Sequence, residues 1–202
     1  MATWNVRILL DDTQNAPWRK TAIVAQELRR YHIDIAALSE TRLSGEGSIT
    51  EDDYTIFWRG YPEGHTRLHG LSLAVHRSIT KKITEEPTFH IERLLSLRIP
   101  LVRNEYVHII AAYAPTLVSD EDRKDRFYSE LTKILRGIDP RDKVLLLRDF
   151  NARVGARRDL WSQVIGPHGI GKVNANGLRL LTLCTEFDLT ITNTLFKLKK
   201  IP

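Results

Sequence analysis

A chain of 202 residues with 42% hydrophobic and 27% charged positions has ordinary globular composition and enough length for one substantial core, which excludes a disordered or fibrous polymer. No apolar run approaches the roughly 18 residues of a membrane span, and a single cysteine, Cys184, excludes an internal disulfide. The formal charge of +5 suits a polyanionic partner, nucleic acid foremost, although its basic residues are spread along the chain and a solvated basic surface explains them equally well.

The opening MATWNVRILLDDTQN lacks a basic n-region and a small-residue cleavage pattern. The expectation is therefore an intracellular chain, nuclear or cytoplasmic and not secreted. TWNVRIL (3–9) predicts a short strand. An amphipathic helix follows in PWRKTAIVAQELRRYH (17–32), where Trp18, Ala22, Ala25 and Leu28 recur at helical spacing. IDIAALSE (33–40) predicts a second strand ending in Glu40, and LSGEGS (43–48) a loop. YTIFWRG (54–60) and LSLAVHR (71–77) predict two strands across a connection rich in Gly, Pro and His. LLSLRIPL (94–101) and YVHIIAAYA (106–114) flank the turn VRNE and predict a hairpin.

Ser119 opens a helical segment, SDEDRKDRFYSELTKILRGI, in which Ser119 and Asp122 resemble a capping box and Gly137 marks the end. KVLLLRDF (143–150) predicts a strand and NARVGARRDLWSQVIGPHGIGKVNA (151–175) a long loop. NGLRLLTLCTEF (176–187) predicts a helix and LTITN (189–193) a last strand. With no repeat and no linker, the expectation is one domain over 1–202. Its order of elements fits an α/β (α+β) class: two β-sheets packed face to face with helices outside.

Several predicted strands carry a polar residue near an end: Asn5, Glu40, Tyr113, and the pair Asp149 and Asn151. Gathered at one rim, two carboxylates with neutral oxygen groups nearby suit a hard divalent cation such as Mg²⁺. Such an ion polarises a phosphoryl oxygen, and Asn and Tyr donate hydrogen bonds to the same developing charge. Caps and turns account for polar strand-end residues more often than catalysis does, so this reading stays open on the residues alone. Other candidates carry less. His65 and His69 sit in a Gly/Pro-rich loop without a zinc-spaced partner. GPHGIGK (166–172) lacks the Ser/Thr and spacing of a phosphate-binding loop. Cys184 falls on the apolar stripe Leu180, Leu181, Leu183, Phe187 and reads as core.

TWNVR (3–7), DIAALSETR (34–42), AAYAPT (111–116) and LLRDFNARVG (146–155), in this order and spacing, resemble the endonuclease/exonuclease/phosphatase superfamily. Within it, the chain is most similar to the apurinic-type endonuclease domain of non-LTR retrotransposons. The resemblance implies a four-layered sandwich and Mg²⁺-dependent hydrolysis of DNA phosphodiesters, with Mn²⁺ as an alternative ion. It also implies roles: Glu40 as the principal metal ligand, Asn5 arranging metal and phosphate, and Tyr113 contacting the scissile phosphate. Asp149 would activate the attacking water, and Asn151 would stabilise the transition state.

Two departures stand out. Arg148 occupies a position where the family usually has glycine, and strand alternation predicts that it faces away from Asp149. The family's later Asp and closing Asp-His pair have no counterpart after Asn151, so a C-terminally incomplete copy lacking its last strands is expected. Loss of such a histidine lowers the expected activity by about 10²–10⁴-fold. A non-catalytic remnant that binds DNA or protein remains the alternative from another class, and a phosphatase for another phosphoester is a third.

Overall fold

The computed structural model describes residues 1–7, 9, 19–60 and 70–197, and of Arg148 the backbone alone. Nine strands and four helices form among the described residues: β1 (Ala2–Asn5), α1 (Lys20–Arg30), β2 (Ile35–Ser39), β3 (Glu46–Glu51), β4 (Tyr54–Arg59), β5 (Leu71–His76), α2 (Arg77–Thr80), β6 (Thr88–Ile91), β7 (Leu94–Pro100), β8 (Tyr106–Tyr113), α3 (Glu121–Arg136), β9 (Lys143–Asp149) and α4 (Ala175–Glu186). The backbone groups into two compact units, residues 1–113 with 137–149, and residues 114–136 with 150–202.

The first unit holds both sheets. One has strand order β1-β2-β5-β4-β3 and the other β6-β7-β8-β9. Each is mixed, with β1 parallel to β2 and β8 parallel to β9 among otherwise antiparallel pairs. Strand β2 shows how the layers are written into the chain. Its residues are buried throughout, and successive side chains point to opposite faces. Ile35 and Ala37 enter an apolar core with Leu73 and Val75 of the same sheet and Leu97, Ile109 and Ala111 of the other. Ala36 and Leu38 enter a second core with Val24, Ala25 and Leu28 of α1. The buried side of α1 (Thr21, Val24, Ala25, Leu28) repeats at three- and four-residue intervals, as an apolar stripe on a sheet requires. Two mixed sheets packed face to face with helices form the α+β sandwich expected from the element order. Leu73 and Leu97 both belong to the inter-sheet core and are essentially inaccessible to water. Truncating either to Ala is expected to cost about 2–5 kcal/mol, read as a lower denaturant midpoint with unchanged m-value.

In the second unit, Phe127 of α3 meets Phe150 edge to face, ring centroids 6.0 Å apart. Arg179 of α4 binds Asp125 and Glu121 of α3 at 2.7 Å each. Leu180, Leu181, Leu183 and Cys184 are buried, so Cys184 is the core residue the apolar stripe predicts.

Three expectations are corrected. LSGEGS is not all loop: from Glu46 it enters β3, which pairs with β4 from Glu46↔Arg59 to Glu51↔Tyr54. Gly47 faces Trp58 so closely that a Cβ would lie 2.7 Å from the indole, so a residue type that reads as a turn here makes room for an aromatic cross-strand neighbour. LTITN forms no strand; Ile191 makes one isolated bridge to Ile165, and a 3₁₀ turn follows at Thr192–Thr194. Helix α3 is capped by Asp120, whose carboxylate accepts from Arg123 N at 2.8 Å, while Ser119 Oγ meets Thr116 Oγ1. Strand β6 and the short α2 were not anticipated. Trp18, the connection with His65 and His69, and the Arg148 side chain lie outside the described residues; the Arg148 backbone runs in the β9 ladder opposite Ala112. Among the described residues no helix is long and apolar enough to cross a membrane.

Candidate active site

Strand alternation and register bring four of the predicted residues to one end of the first unit. Asn5 pairs with Ser39 and Thr3 with Ala37, which places Asn5 on the face that Ala37 presents to the inter-sheet core. On the other sheet Ala111 pairs with Leu147 and Tyr113 with Asp149, so Asp149 continues the inward-facing row of Leu147 at the rim. Thr3, Trp4, Asn5, Ala37, Ser39, Leu71, Ala112 and Asp149 line a cavity of about 310 Å³ there.

Glu40 joins this group by a different route. Continued alternation after Ala36 and Leu38 would send its side chain toward α1. Instead Glu40 has φ +58°, a left-handed conformation that costs a non-glycine residue about 1–2 kcal/mol. This turns its carboxylate to the inter-sheet side. There Glu40 Oε1 accepts from Asn5 Nδ2 at 2.8 Å and from the Tyr113 hydroxyl at 3.1 Å.

Asn5 is itself held. Its Oδ1 accepts from Arg7 N at 3.0 Å, a local turn in which Asn mimics the backbone. With the oxygen committed to an N–H, the amide nitrogen must face Glu40, so the hydrogen-bond network fixes the carboxamide orientation.

Tyr113 is 4% exposed, and its phenol is pushed up to about 12, first by burial and then by the charge and hydrogen bond of Glu40. Arg93, at the turn between β6 and β7, acts in the opposite sense. Its guanidinium carbon lies 5.1 Å from the Tyr113 ring centroid, and its Nη1 donates to Tyr113 O at 3.3 Å. Tyr113 N donates in turn to Arg93 O at 3.0 Å. Arg93 was not foreseen, because a lone arginine beside a turn has no distinctive spacing. The linkage follows from the raised phenol. Between the ordinary value of 10.0 and about 12 the folded chain keeps a proton that the unfolded chain releases. This contribution to stability is complete below the first value and is lost as pH rises through the second. Unfolding midpoints are expected to fall over that interval, and Tyr113→Phe should flatten this part of the curve.

Asn151 belongs to the second unit. It also lies in the left-handed region, φ +48°, which asparagine tolerates better than most residues. Its Nδ2 donates to Ala114 O at 3.0 Å.

These strand-end residues all fall within a match to known proteins. The Endonuclease/Exonuclease/phosphatase family matches residues 2–190. Craniofacial development protein 2 of Bos taurus is 31% identical over 197 residues, 98% of this chain and 31% of that protein. Its counterpart from Tragulus javanicus is 30% identical over 197 residues, again 98% of this chain and 32% of that protein. The chain thus spans about a third of the length of these relatives. The crystal structure of AP endonuclease LMAP from Leishmania major superposes with a TM-score of 0.61 at 13% identity, covering 92% of this chain and 65% of that one, a likeness of fold. A match that runs through all the strand-end residues, on the sandwich those strands build, makes this chain a member of the endonuclease/exonuclease/phosphatase family.

Proposed function

We propose that the chain is a Mg²⁺-dependent phosphodiesterase acting on DNA, an endonuclease of the apurinic, retrotransposon type. The observation that carries this reading is the hydrogen-bonded set Asn5–Glu40–Tyr113 in the unit whose cavity rim holds Asp149. The ordered motifs and the net charge of +5 support a nucleic-acid substrate.

The donor set suits the ion. Glu40 offers a hard carboxylate, and both donors recorded on it approach Oε1. Among the described residues no group of three or more His, Cys, Asp or Glu gathers as a dedicated cage. Mg²⁺ is usually held by one or two carboxylates, with water and substrate phosphate completing its shell. Glu40 would be the ligand, with Asn5 and Tyr113 fixing its rotamer. When bound, the ion supplies charge stabilisation at a phosphoryl oxygen. Tyr113, protonated at neutral pH, remains a donor throughout. Asp149 accepts the proton of the attacking water, and Asn151 donates to the phosphoryl oxygens as negative charge grows.

Nicking of supercoiled plasmid by the purified chain, with Mg²⁺ or with EDTA, tests the reading. Metal-dependent nicking is expected, with Mn²⁺ substituting. DNA binding should weaken steeply with salt, because phosphate neutralisation releases counterions. A folded chain that binds DNA without nicking it would overturn the catalytic reading in favour of a binding module.

A further inference from the structure

The second unit holds Asn151 by a device in which one buried side chain is central. Asn176, at the start of α4, is 2% exposed. Its Nδ2 donates at 3.1 Å to Pro115 O and at 3.1 Å to Asn151 O. Pro115 follows Ala114, whose carbonyl receives the Asn151 side chain. One carboxamide thus ties together the backbone of Asn151 and the segment that orients the Asn151 amide. The adjoining residues press the same loop onto the helix start. Asn174 Oδ1 accepts from Gly177 N at 2.8 Å and Arg153 N at 3.1 Å, and Asn174 N donates to Arg153 O at 3.0 Å. At Gly177 a Cβ would lie 1.8 Å from Arg153 O, so the approach requires glycine.

We propose that Asn176 is a positioning residue that sets the left-handed backbone and the side-chain direction of Asn151 for phosphoryl transfer. Two carbonyl oxygens converge on one nitrogen, so the residue must offer two N–H bonds in a fixed plane. The carboxamide does this, whereas the isosteric carboxylate would set an acceptor against two acceptors. Asn176 Oδ1 is buried with no hydrogen-bond partner among the described residues. An orphaned buried acceptor costs stability. What asparagine supplies here is therefore the direction of its two donors rather than a satisfied core. Asn151 at φ +48° needs such bracing, because strained conformations persist only where their surroundings over-determine them.

The inference rests on Asn151 acting in the proposed reaction, so its test has one arm that needs no activity. In ¹³C,¹⁵N-labelled protein, Asn176→Asp is expected to shift the Asn151 carbonyl carbon, the Ala152 amide and the Asn151 side-chain amide. In steady-state nicking the same variant is expected to lose about 10²-fold in kcat with KM little changed, and Asn176→Gln, which keeps the donors, should recover part of it. Should Asn176→Asp fail to fold, Asn176→Ser carries both comparisons. Unmoved Asn151 resonances in a folded variant overturn the proposal, as does unchanged kcat with those resonances displaced. A wild-type chain that does not nick overturns the proposed activity instead, and the resonance comparison then decides the positioning by itself.

Discussion

Replacing Glu40 with Gln is expected to lower Mg²⁺-dependent nicking by about 10²–10³-fold, the range seen when one preorganised electrostatic element is removed, while the chain stays folded. The Gln amide oxygen can still accept from Asn5 Nδ2 and the Tyr113 hydroxyl, the two bonds recorded on Glu40 Oε1, so the local structure has no cause to collapse. What disappears is the negative charge that makes the group a ligand for a hard cation. An internal readout confirms that the charge, and only the charge, has gone. Glu40 raises the Tyr113 phenol both by its charge and by its hydrogen bond, after burial as the largest cause. In Glu40→Gln that phenol should ionise at lower pH than in the wild type yet above an ordinary tyrosine, because burial persists. Ultraviolet titration of the two proteins, beside Mg²⁺ binding by calorimetry, checks this. Full activity in a variant whose Tyr113 has shifted would remove Glu40 from the metal site.

The left-handed backbone of Glu40 also marks the limit of what the sequence discloses. Asn5, Tyr113 and Asp149 were legible because period-2 alternation continues to the end of their strands. Tyr113 extends the row Ile109, Ala111, and Asp149 extends Leu147. Glu40 was legible as a residue and not as a direction. Alternation taken alone points it at α1, and a single φ of +58° reverses that, which no pattern of apolar residues encodes. Arg93 was missed because its role depends on the β6–β7 turn reaching Tyr113 at the end of β8 in the same sheet, a meeting set by the folded ladder rather than by sequence spacing. Strand β3 was missed for a compositional reason: Gly47 and Ser48 read as turn, yet one accommodates Trp58 and both lie in a regular ladder. The expected last strand failed differently, since LTITN has β-branched residues but finds one bridging partner, Ile165. Propensity proposes a strand, and a neighbouring strand is needed to make one. The asparagines at the start of α4 illustrate the same limit. Asn174 fits an N-cap by type, whereas the double donation of Asn176 requires knowing that two carbonyls from distant segments converge on it.

Asp149→Asn is expected to have the larger effect on turnover, about 10²–10⁴-fold in kcat, the contribution typical of one general acid–base group. Asp149 closes β9, and the parallel ladder sets it opposite Tyr113, so its position is carried by strand backbone rather than by a loop. Asn preserves shape but cannot accept the proton of the attacking water. The same change removes a negative charge from the rim of a cavity that also displays Asn5 and Ser39, where a DNA phosphate would sit. Binding should therefore be retained or tightened while turnover falls, and this opposition separates a lost base from a damaged fold. Fluorescence anisotropy with a labelled duplex gives the affinity, and plasmid nicking at saturating protein gives the rate. A variant with weaker binding and a lower thermal midpoint would show that Asp149 serves the fold. Undiminished nicking would assign the proton to another group and leave Asp149 a strand-end residue of the sandwich.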